Sequence, residues 1–562
     1  MHNITTYCKL SLRALATVVL LMASHSAARA FDADTYASES KLASGRWVKI
    51  SVDRSGLYAI SQSDLSKWGF SDINKVKIYG YGGAPLAESL RREDIIDDLP
   101  AVPVVRSGNR IIFYAQGHIT KELNSKGVFV PVQHPYTNAA YYFVTENDSE
   151  DATFATSETA VNPSAEVVTS FTDMTFHEVE SSSAGETGRQ RVGEDFKYNS
   201  SQSFKFDIPG YIAGSTIRAY TAFACSTSAS ANLTFKYNGT QLANGEGDII
   251  SPIVNSHQLM RLNYSLKEFQ LNDASNFTYT IGLGYSGTLK LANLDYIAVN
   301  YPRSIALANG SLLFNHSANT AATIVVSGAN ADTHIWDITD SANPIVIKTE
   351  AADGGVKFAP VATGLREYAA FDADAKFPAP VFVGNVSSQN IHGQPTPDMI
   401  IITPSAFADQ ARRVAAIHEQ RDNMRVLVLN QELIFNEFSS GTPDAMAYRR
   451  LCKMFYDRGT DDEGHRLAYL LLFGGGSFDN RQLTLSVKSN SFPMLLTYQS
   501  VDSSNESSSF CSDDLFVMLE DNASGFNNKC SIAVGRMRKP ETMSTNLLST
   551  STTPTSALGK PM

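Results

Sequence analysis

The stretch "YLLLFGGGSFDN", Tyr469 to Asn480, joins an unbroken apolar run to three glycines, a serine and an aspartate. Two comparable apolar runs precede it, "DMIIIT" (Asp398 to Thr403) and "MRVLVLN" (Met424 to Asn430). Strands covered by helices on both faces have no solvent side, so they appear in sequence as continuous apolar runs. The three runs therefore predict parallel strands of an α/β domain.

The segments between these runs have a helical pattern. Phe407, Ala411 and Val414 share one face of the first segment, and the second is expected to be helical from near Thr442 to about Arg458. Three parallel strands with two crossover helices form a βαβαβ unit. Pro395 and Pro397 mark the linker that leads into it.

The glycine loop, Gly474 to Asn480, follows the third predicted strand. Ligands of open α/β sheets bind beyond the carboxyl ends of the strands, so Gly474, Gly475, Gly476, Ser477 and Asp479 are candidates for one rim of a site. A nucleotide site is disfavoured, because no Gly-Lys-Ser/Thr follows and the glycine spacing is not the dinucleotide fingerprint. The alternative is a tight turn in which glycine supplies positive φ and close packing.

A second loop, "SDDLF" (Ser512 to Phe516), carries Asp513 and Asp514, and "LED" (Leu519 to Asp521) follows it. These carboxylates are candidates for a pocket wall or for binding a hard cation such as calcium. A solvated turn is the alternative, since the spacing is not that of an EF-hand. The sequence leaves metal binding open.

The first two thirds of the chain have short alternating runs separated by Gly, Asn, Ser and Pro. Phe204, Phe206 and Ile208 before Pro209-Gly210 are an example. The predicted order is a β-rich module at 31–150, a β-sandwich-like module at 151–303, a β-rich module with a linker at 304–390, and the α/β domain at 391–537.

The amino terminus resembles a secretory signal peptide. Lys9 and Arg13 precede an apolar run that is too short to span a membrane, and Ala28-Arg29-Ala30 is a small-x-small cleavage pattern. We expect cleavage near Ala30 and export to the periplasm or the outer-membrane surface. The net charge of −11 disfavours nucleic acid as a partner.

Four cysteines remain after such cleavage. Their spacing does not fit a zinc site, and Cys452 lies on an apolar helical stripe as a buried small side chain. Cys511 and Cys530 are close enough in sequence for one disulfide in an oxidising compartment.

Several longer segments together resemble the gingipain family of cysteine peptidases, in the branch that acts as the sortase of type IX secretion in Bacteroidota. The segments are "SGRWVKISVDRSGLYAIS" (Ser44 to Ser61), "KIYGYGG" (Lys77 to Gly83), "DDLPAVPV" (Asp97 to Val104), "FYAQG" (Phe113 to Gly117), "LDYIAVNYPR" (Leu294 to Arg303), "WDITD" (Trp336 to Asp340), "PDMIIITPSAF" (Pro397 to Phe407), "IFNEFSSGTPDAMAYR" (Ile434 to Arg449), "YLLLFGGGSFDNR" (Tyr469 to Arg481), "TYQS" (Thr497 to Ser500), "SDDLF" and "IAVGRM" (Ile532 to Met537).

The resemblance implies β-rich modules followed by a caspase-like α/β domain with a parallel sheet. It implies a thiolate nucleophile, a histidine and an oxyanion site, with no cofactor. The implied partners are secreted proteins with a C-terminal sorting domain and outer-membrane components of type IX secretion. It also places Asp513 and Asp514 beside the substrate pocket.

The chain departs from the family pattern at the catalytic dyad. In the family, a His-Gly turn and then a cysteine follow later strands, whereas no histidine follows His465 here. His392-Gly393 precedes the first strand and is expected in the linker turn, and His418 and His465 are expected at the surface. The sequence therefore predicts an incomplete α/β domain that is inactive alone.

The segment 538–562 is expected to be an aberrant, disordered tail, because Ser549 to Met562 show no apolar periodicity. Our hypothesis is that a frameshift beyond Gly535 to Met537 replaced a helix of the family. The alternative function is a non-catalytic exported binding or scaffold protein of the type IX system.

Overall fold

A computed structural model of the chain describes residues 35–157, 160–185, 187–272, 275–318, 320–483, 493–521 and 529–537. The expected signal peptide, 1–30, and the expected tail, 538–562, lie outside the described residues. Within the described ranges, no helix combines the length and the apolar character that crossing a membrane requires. The predicted fold class is confirmed: β-rich modules precede an α/β domain with a parallel sheet.

The first β module has two main sheets. Central strand β9 pairs antiparallel with β1 on one side and β3 on the other, and β6 lies between β2 and β5 in the second sheet. Alternate residues such as Val48, Ile50 and Phe113 meet in the core between them. The elements are β1 Trp47–Val52, β2 Gly56–Ser61, α1 Gln62–Trp68, β3 Val76–Tyr79, β4 Ala101–Val102, β5 Val105–Ser107, β6 Arg110–Ala115, β7 Ile119–Leu123, β8 Phe129–Gln133 and β9 Ala140–Glu146.

The second module is a sandwich of two antiparallel sheets, with strand orders β12-β20-β14-β18 and β13-β19-β15-β16. Phe204, Phe206 and Ile208 are buried in its core, as their alternation predicted. The strands are β10 Ala155–Thr156, β11 Glu166–Val168, β12 Ser170–Glu178, β13 Ser201–Asp207, β14 Thr216–Thr227, β15 Ala231–Tyr237, β16 Thr240–Gln241, β17 Ile249–Ile250, β18 Arg261–Gln270, β19 Asn276–Tyr285 and β20 Leu289–Ser304.

The third module recruits β10 and β11 from the preceding segment, because these strands pair with β24 and β22. Its last strand, β28, returns to the first module and pairs antiparallel with β1. The strands are β21 Ser311–Ala318, β22 Ala322–Ser327, β23 His334–Asp337, β24 Ile345–Val346, β25 Glu350–Ala352, β26 Gly355–Phe358, β27 Gly364–Phe371 and β28 Val381–Val386.

The α/β domain contains a parallel sheet with strand order β30-β29-β31-β34. Its elements are β29 Met399–Thr403, α2 Ala408–Asp422, β30 Val426–Asn430, α3 Gln431–Phe438, α4 Met446–Asp457, β31 Tyr469–Phe473, the short antiparallel pair β32 Tyr498–Gln499 and β33 Cys511–Ser512, and β34 Ala533–Met537. Short 3-10 helices lie at Lys41–Ala43, Arg92–Asp94, Ser405–Phe407 and Asp514–Val517.

Both faces of this sheet are covered, which explains its apolar strands. Ile401 faces α2 in one cluster, together with Phe407, Ala411 and Val414. Ile400 and Ile402 face the opposite cluster, which contains α3 and α4. The predicted βαβαβ unit is therefore present, and α3 and β34 add to it.

Candidate active site

A crevice with a volume of about 530 Å³ lies at the carboxyl ends of β31 and β34. This is the edge where loops of a parallel sheet converge on ligands. Its lining residues come from the glycine loop, the β32–β33 pair and β34. They are Gly475, Gly476, Ser477, Phe478, Met494, Thr497, Cys511, Ser512, Asp513 and Arg536.

Close packing explains the glycine loop. A Cβ on Gly474 would lie 3.1 Å from Leu495 and from Pro404, and one on Gly476 would lie 2.2 Å from the methyl group of Thr497. Neither Gly474 nor Gly476 has a positive φ, so the left-handed turn that we considered for them is not formed. The loop is glycine-rich because neighbouring chain segments press directly against its backbone.

Asp513 and Arg536 join two walls of the crevice. The Arg536 guanidinium donates from Nε to Asp513 Oδ2 at 2.8 Å and from Nη2 to Oδ1 at 2.6 Å. Nη2 also donates to the carbonyl of Leu496 at 3.1 Å. The bidentate pair holds the loop of Asp513 against β34. Asp514 begins a 3-10 helix and does not line the crevice.

Asp479 faces the second β module instead of the crevice. Its buried carboxylate lies 3.0 Å from the guanidinium of Arg191, which is also buried. Arg191 donates to the carbonyl of Phe478 at 3.1 Å, and Asp479 accepts from the amide of Leu483 at 3.0 Å. Asp479 therefore fixes the glycine loop to the β-rich half of the chain.

Sequence reasoning missed the residues that complete this contact. The arm Thr187 to Arg191 leaves the second module and follows the rim of the α/β domain. Arg189 donates through its amide to Ser500 O at 3.0 Å and through Nε to Gln499 O at 2.7 Å. The Gln190 amide donates to Ser503 Oγ at 2.9 Å. Arg189 and Arg191 stand out in the sequence as two arginines in a polar loop. Nothing in their spacing, however, indicated that they contact residues far away in the chain.

The described cysteines are unbridged, so the disulfide considered for Cys511 and Cys530 is not formed. The reason is their position. Cys511 lines the crevice at the carboxyl ends of the strands, whereas Cys530 lines a cavity near Tyr469 and Ala533 at the amino ends. Cys452 is fully buried in α4, as predicted.

The environment of each thiol disfavours the thiolate. Cys511 and Cys530 are both exposed residues whose thiols are only partly shielded from solvent. This partial burial, together with the charge of Asp513, raises the pKa of Cys511, although Thr497 and Arg536 oppose the shift. Slight burial and the charge of Asp514 raise the pKa of Cys530. A cysteine nucleophile requires the opposite shift, from a neighbouring base or cation.

The histidines of the α/β domain pair with carboxylates. His392 Nδ1 lies 2.6 Å from Glu437 Oε2 and Nε2 lies 3.2 Å from Asp97 Oδ1, in a buried site. His465 Nδ1 lies 2.6 Å from Asp398, and this half-buried ring is less exposed than we expected. His418 contacts Asp422 on the surface of α2. None of these three rings makes its hydrogen bond to a cysteine.

The acidic loop was also considered for a hard cation. Its carboxylates meet protein cations instead: Asp513 pairs with Arg536, and Asp521 lies 2.5 Å from Lys453 Nζ. Within the described ranges, no group of three or more His, Cys, Asp or Glu side chains is arranged to hold a metal ion.

The chain is similar to known proteins both in sequence and in fold. Residues 392–545 match Peptidase family C25. The fold is similar to the crystal structure of dimeric latent PorU from Porphyromonas gingivalis, with a TM-score of 0.80 and 28% identity over 90% of this chain and 49% of that chain. The chain thus spans about half the length of that solved structure.

A β-porphyranase of glycoside hydrolase family 86 from the human gut bacterium Bacteroides plebeius matches with 11% identity over 46% of this chain and 35% of that one. Its TM-score of 0.16 does not establish a shared fold. No curated protein matches the chain. Residues 392–545 are therefore similar to peptidase family C25, and the β-rich modules and the α/β domain together are PorU-like.

Proposed function

We propose that this chain forms the substrate-binding part of a gingipain-family cysteine peptidase that acts as a sortase on secreted proteins carrying a C-terminal sorting domain. The single observation that carries the proposal is the crevice at the carboxyl edge of a C25 sheet, between the glycine loop and the Asp513–Arg536 pair. The similarity to PorU across most of the chain supports it.

The crevice suits a polypeptide. Gly476 is exposed along one wall, whereas the carbonyl of Gly475 already accepts a hydrogen bond from the Leu495 amide. Hydrogen bonds to main-chain groups allow an extended peptide to bind with little dependence on its side chains. The opposite wall is held rigidly by Arg536, so the crevice does not need to form on binding.

We propose further that the 562-residue polypeptide binds such substrates without cleaving them. The support is chemical: the pKa values of Cys511 and Cys530 are raised, and the hydrogen bonds of His392, His418 and His465 go to carboxylates. Attack on a peptide carbonyl requires a thiolate and a proton acceptor next to it. The alternative is a purely binding role in the type IX system. The experiment described next distinguishes this role from binding of a peptidase substrate.

The experiment is a binding measurement by biolayer interferometry, with a secreted protein that carries its sorting domain and the same protein without that domain. We expect binding of the first alone. Binding of both proteins equally, or of neither, would contradict the proposed substrate class. If the intact protein binds and Gly476→Ala leaves its affinity unchanged, the substrate uses another surface and the binding-protein alternative is favoured.

We also propose export, with removal of residues 1–30. Expression of the full chain in a Gram-negative host, followed by amino-terminal sequencing of the periplasmic fraction, tests this. A mature terminus near Phe31 supports export, and an intact Met1 in the cytoplasm contradicts it.

A further inference from the structure

A second cavity, of about 490 Å³, adjoins the crevice and lies between the first β module and the α/β domain. Ser477 and Met494 line both cavities, so the two are neighbours along the same rim.

Lys49, on β1, lines this second cavity. Its Nζ donates to the carbonyl of Gly441 at 2.6 Å and to Asn436 Oδ1 at 3.1 Å, and it lies 4.5 Å from the ring centroid of Tyr141. All three contacts are with electrically neutral groups. They fix the position of the ammonium group without neutralising its charge.

Lys49 is partly exposed, whereas the lysines that are buried in the described ranges are neutralised. Lys77, Lys267 and Lys453 each have a carboxylate oxygen 2.5 Å from Nζ, from Asp151, Asp248 and Asp457 respectively. In the described part of the chain, no carboxylate lies within 4.0 Å of Lys49 Nζ.

An uncompensated buried charge is costly, and it is compensated when an opposite charge binds. We propose that Lys49 forms a subsite for a carboxylate side chain of the extended polypeptide that occupies the crevice. The inference rests on the proposed function and adds a chemical preference to it.

The electrostatics of the cavity support this assignment. Burial lowers the pKa of Lys49 to about 8, although the charge of Glu432 on α3 opposes the shift. Glu432 itself lines the cavity, and the other titratable or charged groups there are Tyr136, Tyr141, Asp479 and Arg481. Asp479 is paired with Arg191, and Arg481 donates to Asn138 and pairs with Glu180. The ammonium of Lys49 is therefore the cation available to a ligand at neutral pH.

The test uses fluorescent peptides that span the junction of a sorting domain, in which one Glu, or one Gln in its place, is moved along the sequence. Affinities for the full chain are measured at about pH 7 and about pH 9.5, which lie on either side of the Lys49 pKa. The variant is Lys49→Met, and Lys75→Met, which removes an exposed lysine, is the control.

We expect one Glu position to bind about fivefold tighter than its Gln counterpart at about pH 7. This preference should disappear at about pH 9.5 and in Lys49→Met, and persist in Lys75→Met. Equal binding of all Glu and Gln peptides would overturn the subsite while leaving the proposed function intact. If no peptide binds, the proposed function itself fails.

If Lys49→Met does not fold, the pH comparison on the unmodified chain decides, because the preference must still disappear at high pH. Protection of Lys49 from acetylation is then compared between the Glu peptide and free acetate. Protection by the peptide alone supports a polypeptide ligand. Equal protection by acetate at the same concentration would mean that any small carboxylate binds Lys49, and would contradict a polypeptide ligand.

Discussion

Arg191 of the second β module and Asp479 of the glycine loop form a buried ion pair at 3.0 Å that joins the β-rich half of the chain to the rim of the candidate active site. Arg191 also donates to the Phe478 carbonyl, and its guanidinium lies 5.7 Å from the centroid of that ring. The glycine loop is thus held from outside its own domain. The β-rich modules support the crevice directly.

Removing one partner of this pair should destabilise the protein strongly. Arg191→Met or Asp479→Asn leaves an uncompensated group in a buried site, with an expected loss of about 3–5 kcal/mol in the free energy of unfolding. The double variant Arg191→Met/Asp479→Asn should lose less than the sum of the two. Urea unfolding of the four proteins measures this, and additive losses would show that the pair is not coupled.

His392 should make stability depend on pH. Burial opposes its charge, but the hydrogen bonds to Asp97 and Glu437 outweigh burial and raise its pKa to about 9. Because the folded pKa exceeds the unfolded one, the stabilisation is complete below about pH 6.5 and is lost as pH rises through about 9, with a total of about 3 kcal/mol. In the matched variant His392→Asn, the free energy of unfolding measured with urea should not fall in this way between these pH values. An unchanged fall in the variant would mean that other groups cause it.

The thiols should react slowly. Because the pKa of Cys511 is raised, iodoacetamide should alkylate it several-fold more slowly at neutral pH in the folded chain than in urea. Cys452, which is fully buried and has a pKa raised to about 12, should not react while the protein is folded. Peptide mapping by mass spectrometry follows both sites. Faster alkylation of Cys511 in the folded chain would indicate an activated thiol and contradict the proposed lack of cleavage.

A methyl group on Gly476 should narrow the crevice. Its Cβ would meet the Thr497 methyl at 2.2 Å and Arg536 Nη1 at 3.2 Å, so both side chains must move. Overpacking of this kind costs about 1–3 kcal/mol, and we expect Gly476→Ala to weaken substrate binding about tenfold or more. Gly535→Ala is the control, because nothing lies within 4 Å of its Cβ position. Equal affinities of the two variants would exclude the crevice as the binding surface.

The strands of the α/β domain could be predicted because burial on both faces leaves an unmistakable apolar run. Strand β34 could not be predicted in this way, because Gly535 and Arg536 interrupt the apolar run. The polar side chain of Arg536 is needed there because it binds the Asp513 carboxylate. Helix α3 was also missed. It begins at Gln431, directly after β30, and Asn430 caps it without any intervening turn.

The candidate site was only partly readable from sequence. Strand order located the edge, and the resemblance pointed to Asp513, but neither indicated that Arg536 already binds the Asp513 carboxylate. The roles of Arg191 and Lys49 depend on contacts with residues that are remote in the chain, such as Asp479 and Gly441. Such contacts are created by the packing of modules, and no local pattern encodes them.

Native mass spectrometry of the full chain, mixed with a secreted protein that carries its C-terminal sorting domain, shows whether the chain binds this substrate without cleaving it. We expect a one-to-one complex in which the secreted protein keeps its full mass after prolonged incubation. Absence of the complex would contradict substrate binding, and a secreted protein shortened by its sorting domain would contradict the claim that this polypeptide binds without cleaving.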